Sequence, residues 1–126
     1  MQTIELTHPY KKECIFPEPI VLALGFFDGI HLGHKEVITT AKRVGQERGL
    51  KVAVMSFNQH PSVIFQNVDP ESIQYVSPLE RKKELLEELG VDIFYLVDFT
   101  REFGALTPKE FVDQYIVGLN AKVIVA

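Results

Sequence analysis

The amino-acid sequence predicts an α/β domain whose parallel sheet carries helices on both faces. Three observations predict this fold class. Residues 20–27 and 51–57 form two mostly apolar runs, as expected for strands that are buried on both faces of a parallel sheet. Residues 32–48, between these runs, carry apolar side chains at helical spacing. Strand-like and helix-like segments then alternate to residue 126, which is typical of β-α-β units joined by right-handed crossovers.

The first helix has an apolar face and a stop signal. Its apolar positions follow the helical period and are Val37, Ile38, Ala41 and Val44. Gly49 follows Arg48 directly and can adopt the left-handed conformation that commonly ends a helix. A helix over residues 32–48 is therefore expected between the first two predicted strands.

Two later helices are predicted from the way they begin. Residues 77–80 and 107–110 each contain a capping residue, a proline at the first helical position and a glutamate three residues after the cap. Apolar spacing follows in each, at Leu79, Leu86 and Leu89 and at Phe111, Val112, Tyr115 and Ile116. Gly90 and Gly118 can end these helices. Strands are predicted over residues 92–97 and 122–126, and the long aperiodic stretch 58–76 is expected to be a binding loop.

Length and composition exclude several classes of protein. The 126 residues suffice for one domain with a core but not for two. The formal net charge of −4 disfavours binding to nucleic acid or an acidic membrane, so an anionic ligand needs a local, shaped site. The N-terminus lacks the layout of a signal peptide, and no apolar run could span a bilayer. The single cysteine, Cys14, has no internal disulfide partner, which favours a reducing cytoplasm.

The most informative segment is residues 25–34, where a predicted buried strand passes into a helix. Backbone N–H groups and the helix dipole favour an anion at such a position. One turn of helix would bring His31 and His34 to the same side, and Gly33 between them leaves the backbone open to a phosphate. Gly25 and Gly29 permit a tight turn. The pattern predicts a cradle for a polyphosphate.

The expected chemistry of this cradle is electrostatic. Negative charge grows on the phosphate oxygens as a nucleophile attacks a phosphorus atom, and preorganised donors stabilise that charge. One such donor typically contributes roughly 10²–10³ in rate. Histidine suits this role because its unperturbed pKa of about 6.5 allows a bound phosphate to favour the protonated form.

Other interpretations of the histidine pair stay open. Two histidines near the start of a helix can be surface residues or ligands of a metal. Zinc would require further ligands, and His8, His60, Cys14 and the carboxylates show no recognisable spacing, so no metal site is predicted. The surrounding order of strand, glycines and helix favours the phosphate site.

Residues 31–34 match the HxGH signature of the nucleotidyltransferase superfamily, and the longer form with Phe27-Asp28-Gly29 resembles the prokaryotic FAD synthetases. Those enzymes usually join an N-terminal FMN adenylyltransferase domain to a riboflavin kinase domain. Residues 55–61, 79–92 and 106–112 also resemble segments of that family, the first of them its "PHP" segment near the flavin. The resemblance runs from about residue 20 to the end. It implies a Rossmann-like (HUP-type) fold and the reaction of ATP with FMN, with Mg²⁺ accompanying ATP.

The resemblance also implies roles for single residues. His31 and His34 would act on the ATP phosphates. The nucleotide pocket would be shaped by Gly25, Phe26, Phe27, Asp28 and Gly33, and the flavin side would be lined by Asn58, His60 and Pro61. Asp28 could instead cap its own turn, and His60 could be a solvent-facing loop residue. Gln59 replaces the family's usual proline, and Lys35 is expected to be solvated.

The sequence further resembles only part of that domain. Residues 1–126 correspond to its N-terminal part, since the later glycine- and phenylalanine-rich segment, the Ser/Thr-rich motif ending in arginine and the kinase domain have no counterpart. Two alternatives are therefore a sibling nucleotidyltransferase with another acceptor and a non-catalytic nucleotide-binding fragment. An exposed sheet edge is also expected to favour self-association.

Overall fold

The structure, a computed structural model, describes residues 1–25, 32–57 and 79–126. Its strands are β1 (Gln2–Thr7), β2 (Ile20–Leu24), β3 (Lys51–Phe57), β4 (Ile93–Asp98) and β5 (Ala121–Val125). Its helices are α1 (Leu32–Arg48), α2 (Leu79–Glu88), α3 (Arg101–Gly104) and α4 (Pro108–Val112), with a π-helical turn at Asp113–Val117 and a 3₁₀ turn at Lys12–Cys14. The alternation of strand and helix confirms the predicted α/β class.

The five strands form one parallel sheet in the order β1-β4-β3-β2-β5. The chain moves from β2 through α1 to β3 and then to β4 on one side of β2, and it returns to place β5 on the other side. The strand order therefore switches between β2 and β5. In open α/β sheets, ligands bind beyond the carboxyl ends of the strands at such a switch point.

Side chains that alternate along each strand enter two separate cores, because successive residues of a strand point to opposite faces. One face holds Ile20, Leu22, Ala53 and Met55 together with Phe103, Tyr115 and Leu119 from the C-terminal helical region. The other holds Val21, Ala23, Val52 and Val54 together with Ile38 and Ala41 of α1 and Leu86 of α2. Helices therefore cover both faces, as predicted.

The predicted helix ends agree with the local geometry. Thr107 caps α4 in a full capping box, in which its hydroxyl accepts from the Glu110 amide at 3.2 Å and the Glu110 carboxylate accepts from the Thr107 amide at 3.0 Å. Gly49 and Gly90 adopt φ values of +69° and +88° after α1 and α2. Gly118 follows the π-helical turn as its C-cap. The predicted start of the earlier helix at residues 77 and 78 lies outside the described residues.

Strand boundaries differ slightly from the predicted ones, and two elements were missed. The predicted strands at residues 92–97 and 122–126 are shifted by one residue from β4 and β5. β1 was not predicted, because only Ile4 and Leu6 on this edge strand are buried and the strand exists through its pairing with β4. The short helix α3 was also missed; the Thr100 hydroxyl caps it by accepting from the Phe103 amide at 3.1 Å.

Candidate active site at the carboxyl edge of the sheet

Three of the predicted site residues lie near the carboxyl end of β2. Gly25 follows the last residue of β2 and extends its pairing, since its amide donates to the Met55 carbonyl oxygen at 3.3 Å. His34 is the third residue of α1, and Gly33 precedes it in the same first turn. All three lie beside the switch point between β2 and β5, where the sheet topology favours a ligand.

His34 belongs to the core-facing stripe of α1. The residues four and seven positions later, Ile38 and Ala41, are buried in the core between α1 and the sheet. His34 itself is half-buried, and its ring nitrogen Nδ1 is shielded from solvent. The packing of α1 therefore holds this imidazole at the edge of the sheet, whereas Lys35, the next residue, is exposed as expected.

The remaining predicted residues lie outside the described part of the chain. These are Phe26, Phe27, Asp28 and His31 of the nucleotide pocket and Asn58, His60 and Pro61 of the flavin side. Their roles stay predictions, as does the role of Gly33. The described residues bring together only Gly25 and the first turn of α1.

α1 adds a favourable backbone charge to this edge. The helix has 17 residues and its C-terminal end leads within three residues into β3, so its N-terminal end lies at the carboxyl edge of the sheet. The first N–H groups of a helix have no intrahelical acceptor and carry the positive end of the helix dipole. A phosphate at this end would interact with a positive potential as well as with His34.

An aromatic group flanks the same edge on the side of β3 and β4. The Phe57 ring is 5.5 Å from the Phe99 ring and 5.6 Å from the Phe103 ring, and the Phe99 and Phe103 rings are 5.3 Å apart. Phe57 is half-buried and is the last residue of β3, directly before the predicted flavin segment. Sequence reasoning missed this group because Phe57 is distant in sequence from the other two rings and meets them only through the pairing of β3 with β4.

A buried lysine is the second feature that sequence reasoning missed. Lys82 is the fourth residue of α2 and is only 5% exposed, and its ammonium donates a long hydrogen bond of 3.4 Å to the Ser56 hydroxyl. Ser56 is the penultimate residue of β3, so this ammonium also lies at the carboxyl edge. The only available signal was the four-residue spacing from Lys82 to the buried Leu86, which places both on the same face of α2.

Neither a metal cluster nor a membrane span was found in the described ranges. Residues 1–25, 32–57 and 79–126 contain no group of three or more His, Cys, Asp or Glu side chains that could hold a metal ion. Among the helices of these same ranges, none is both long and apolar enough to cross a membrane. A surface cavity of about 310 Å³ lined by Lys42, Gly45, Gly49, Lys51 and Gly90 lies at the opposite, amino edge, away from the predicted site.

A doubly wound parallel sheet with a glycine and a helix-borne histidine at its switch point defines the class as a Rossmann-like α/β domain. The chain belongs to the FAD synthetase family, whose sequence model matches residues 15–126. This membership confirms the family predicted from the sequence. The order of the strands and the helices on both faces of the sheet confirm the predicted α/β fold class.

Named relatives agree with this assignment. The whole chain is 46% identical to the bifunctional riboflavin kinase/FMN adenylyltransferase of Bacillus subtilis and, again at 46%, to that of Listeria monocytogenes. It is 35% identical over 100 residues to the Escherichia coli protein of the same name. The chain spans 40% of the length of the first two relatives.

Solved structures show the same architecture. The structure described as a macrolide-efflux protein from Streptococcus pneumoniae superposes with a TM-score of 0.89 at 34% identity, over 100% of this chain and 48% of that one. A universal stress protein from Archaeoglobus fulgidus superposes with a TM-score of 0.52 at 18% identity, over 90% of this chain and 76% of that one, and shares the fold alone.

Proposed function

We propose that the protein transfers AMP from ATP to FMN, forming FAD and pyrophosphate. The observation that carries the proposal is the position of Gly25 and His34 at the switch point of the sheet in a chain of the FAD synthetase family. Relatives named bifunctional riboflavin kinase/FMN adenylyltransferase support the choice of FMN as acceptor. Because the chain spans 40% of their length, the activity is proposed for the protein expressed from its complete coding sequence.

In this reaction a phosphate oxygen of FMN attacks the α-phosphorus of ATP. A new P–O bond forms to FMN while the bond to the pyrophosphate breaks, and pyrophosphate leaves with the electron pair of that bond. His34 would donate a hydrogen bond to phosphate oxygens, and the N-terminal end of α1 would stabilise the charge that grows on them. His31 is proposed to act with His34 from the same side of the site.

Mg²⁺ is proposed to enter with ATP. Magnesium usually keeps several waters and is bound through substrate phosphates and one or two carboxylates, so it needs no cage of protein ligands. The described part of this edge fits that mode, because His34 and the first turn of α1 offer donors to phosphate oxygens. Bound to ATP, Mg²⁺ would neutralise part of the phosphate charge.

The proposed location of the protein is the reducing cytoplasm, and the exposed free thiol of Cys14 is compatible with it.

The test is an assay of the protein expressed from its complete coding sequence. Incubation with ATP, FMN and Mg²⁺ should produce FAD and pyrophosphate in equal amounts, measured by chromatography and by a coupled pyrophosphate assay. Absence of both products would refute the proposal.

Two further experiments test the alternative functions. A panel of other acceptors, including phosphopantetheine and nicotinate mononucleotide, identifies a sibling nucleotidyltransferase if one of them is preferred. Calorimetry of the 126-residue chain alone tests the non-catalytic fragment, because measurable turnover would exclude that alternative.

A further inference from the structure

The cavity at the amino edge of the sheet plays no part in the proposed reaction. It measures about 310 Å³ and lies between the turn from α1 to β3 and the turn from α2 to β4. Small-molecule sites begin at about this size. Lys42, on its wall, follows His34 by eight positions of α1, which corresponds to about 12 Å along the helix axis. The cavity is therefore separate from the site at the carboxyl edge.

Two glycines shape the cavity. Gly49 and Gly90 adopt φ values of +69° and +88°, a conformation that other residues rarely reach. A Cβ atom on Gly49 would meet no atom within 4 Å, so this turn leaves open space. A Cβ atom on Gly90 would lie 2.7 Å from the Lys42 ammonium and 3.0 Å from its Cε atom. The Lys42 side chain therefore lies across the turn after α2 and brings its charge to the cavity.

Two ammonium groups, those of Lys42 and Lys51, line this cavity. Within residues 1–25, 32–57 and 79–126 neither of them forms a hydrogen bond or an ion pair. The C-terminal ends of α1 and α2 reach the same edge, and a lysine can cap the last carbonyl groups of a helix. Neither ammonium donates to such a carbonyl, so helix capping does not account for the two charges.

A carboxylate lies on the same wall. The Oδ2 atom of Asp92 accepts from the Val52 amide at 2.9 Å, which fixes the carboxylate between β3 and β4. A second cavity of about 170 Å³ shares Lys51 and Asp92 with the first and extends along the amino edge to Phe16. An anion without other polar groups would be repelled by this carboxylate. A ligand that also carries hydroxyl groups would donate to it.

We propose that the amino-edge site binds a phosphate monoester that also carries hydroxyl groups, such as a sugar phosphate. Its phosphate oxygens accept from the ammonium groups of Lys42 and Lys51, and a hydroxyl donates to the carboxylate of Asp92. Charge-assisted hydrogen bonds to phosphate are among the stronger polar contacts, although water and salt weaken them at exposed side chains such as these. The proposal is independent of the proposed function, since it requires neither ATP nor FMN at the carboxyl edge.

The experiment uses variants of exposed side chains together with a matched control. Lys42→Met and Lys51→Met, singly and combined, remove the positive charge and keep most of the side-chain length. Arg43→Met is the control, because Arg43 is the neighbour of Lys42 on α1 and is exposed but does not line the cavity. Asp92→Asn removes the carboxylate charge and keeps an acceptor for the Val52 amide. Each protein is expressed from its complete coding sequence, and its thermal unfolding is recorded.

Binding is measured by calorimetry with ribose 5-phosphate, inorganic phosphate and ribose as probes. The wild-type protein should bind ribose 5-phosphate more tightly than inorganic phosphate, and ribose most weakly. Each single lysine variant should weaken the binding of ribose 5-phosphate roughly threefold and the double variant about tenfold, whereas Arg43→Met should change it less than about twofold. Asp92→Asn should reduce the preference for ribose 5-phosphate over inorganic phosphate, because it removes both a strong acceptor and a repulsive charge.

Three results would overturn the inference. The first is a wild-type protein that binds none of the phosphate probes at millimolar concentration, and the second is a double lysine variant with wild-type affinity. The third is a loss of ribose 5-phosphate binding in His34→Ala but not in the lysine variants, which would assign the phosphate to the carboxyl edge. FAD formation, assayed in the same proteins, reports on the proposed function separately, so either proposal can fail without the other.

Discussion

The Nδ1 atom of His8 lies 3.0 Å from the hydroxyl of Tyr115, although 107 positions separate the two residues. This contact joins the end of the edge strand β1 to the π-helical turn that precedes β5. Tyr115 is fully buried, and the rings of Tyr10 and Phe103 pack edge-on against it at 5.2 and 4.9 Å. Burial, with a smaller contribution from the charge of Tyr10, raises the pKa of Tyr115 to about 12.

Replacing Tyr115 with phenylalanine should flatten the loss of stability at alkaline pH. The pKa of Tyr115 is raised on folding, so its stabilising contribution is complete below about pH 10 and is lost as the pH rises from 10 through 12. A shift of about two pH units corresponds to at most roughly 2–3 kcal/mol. Urea unfolding between pH 9 and 12 should show a shallower decline for Tyr115→Phe than for wild type. The corresponding phenylalanine variants of Tyr10 and Tyr95 should change the slope of stability against pH less. Equal slopes in all proteins would contradict the raised pKa of Tyr115 as the cause of the decline.

Removing the cap of α4 should destabilise the protein. Thr107→Ala deletes the hydroxyl that accepts from the Glu110 amide, and loss of such a cap typically costs about 1 kcal/mol. The control is Thr39→Ala, in which an exposed threonine inside α1 becomes a better helix former. Chemical denaturation should show a lower free energy of unfolding for the first variant only. If Thr107→Ala and wild type gave the same denaturation curve, the capping box would not stabilise the fold.

The capping box should also make stability dependent on acid pH. The hydrogen bond from the Thr107 amide, with a further one from its hydroxyl, lowers the pKa of Glu110 below its ordinary value of 4.5. The contribution is therefore complete above that value and is lost as the pH falls through the lower pKa of the folded state. Glu110→Gln keeps an acceptor but cannot be protonated in this range, so its stability should vary less between pH 5 and pH 2. A pH profile that matches the wild type would argue against this role.

Gly45→Ala should destabilise the protein although alanine is the better helix former. The intrinsic preference of a helix for alanine over glycine is about 1 kcal/mol. A Cβ atom on Gly45 would, however, lie 2.8 Å from the Leu50 carbonyl oxygen and 3.1 Å from a methyl group of Val52. The backbone of Leu50 is held in place, because its amide donates to the Gly45 carbonyl oxygen at 2.8 Å. A lower melting temperature is expected, and a higher one would show that this close approach is not required.

His34→Ala should lower turnover more than it weakens the binding of FMN. Loss of one preorganised donor to transition-state charge typically reduces kcat by roughly 10²–10³. Lys35→Met is the matched control, since Lys35 is adjacent but exposed. The measurements are kcat for FAD formation and the Kd for FMN, with the protein expressed from its complete coding sequence. A loss confined to FMN affinity would contradict the role proposed for His34.

The outer edge of β5 should promote self-association of the 126-residue chain. Within the described ranges β5 pairs only with β2, and Ile124 on this strand is 43% exposed. An uncovered apolar edge offers unpaired backbone groups to another chain. Ile124→Lys should lower the association measured by sedimentation velocity. Val117→Lys serves as the control, because Val117 is more exposed than Ile124 but lies on the π-helical turn. If the unmodified 126-residue chain were a monomer at every concentration, the prediction would be wrong.

Much of the fold could be predicted because its signals are local. The apolar runs of β2 and β3, the periodic face of α1 and the capping box at Thr107 each depend on neighbours within a few positions. β1 could not be predicted in the same way. Its two buried residues, Ile4 and Leu6, carry little signal, and the strand is formed by pairing with the distant residues of β4.

The sequence by itself determined the family, because the order of strand, glycine and histidine up to residue 34 is local and specific. The phosphate site at residues 25–34 stays a prediction from the same segment. Only the tertiary structure decided which distant side chains lie together at the carboxyl edge of the sheet. The Phe57 group and the Lys82–Ser56 contact depend on β3 lying between β2 and β4, and on α2 covering the same face as α1. The physical reason is that burial of a charge is a property of packing. Arg81 is exposed and Lys82 is buried, yet these adjacent basic residues of α2 look alike in the sequence until the helix is placed on the sheet.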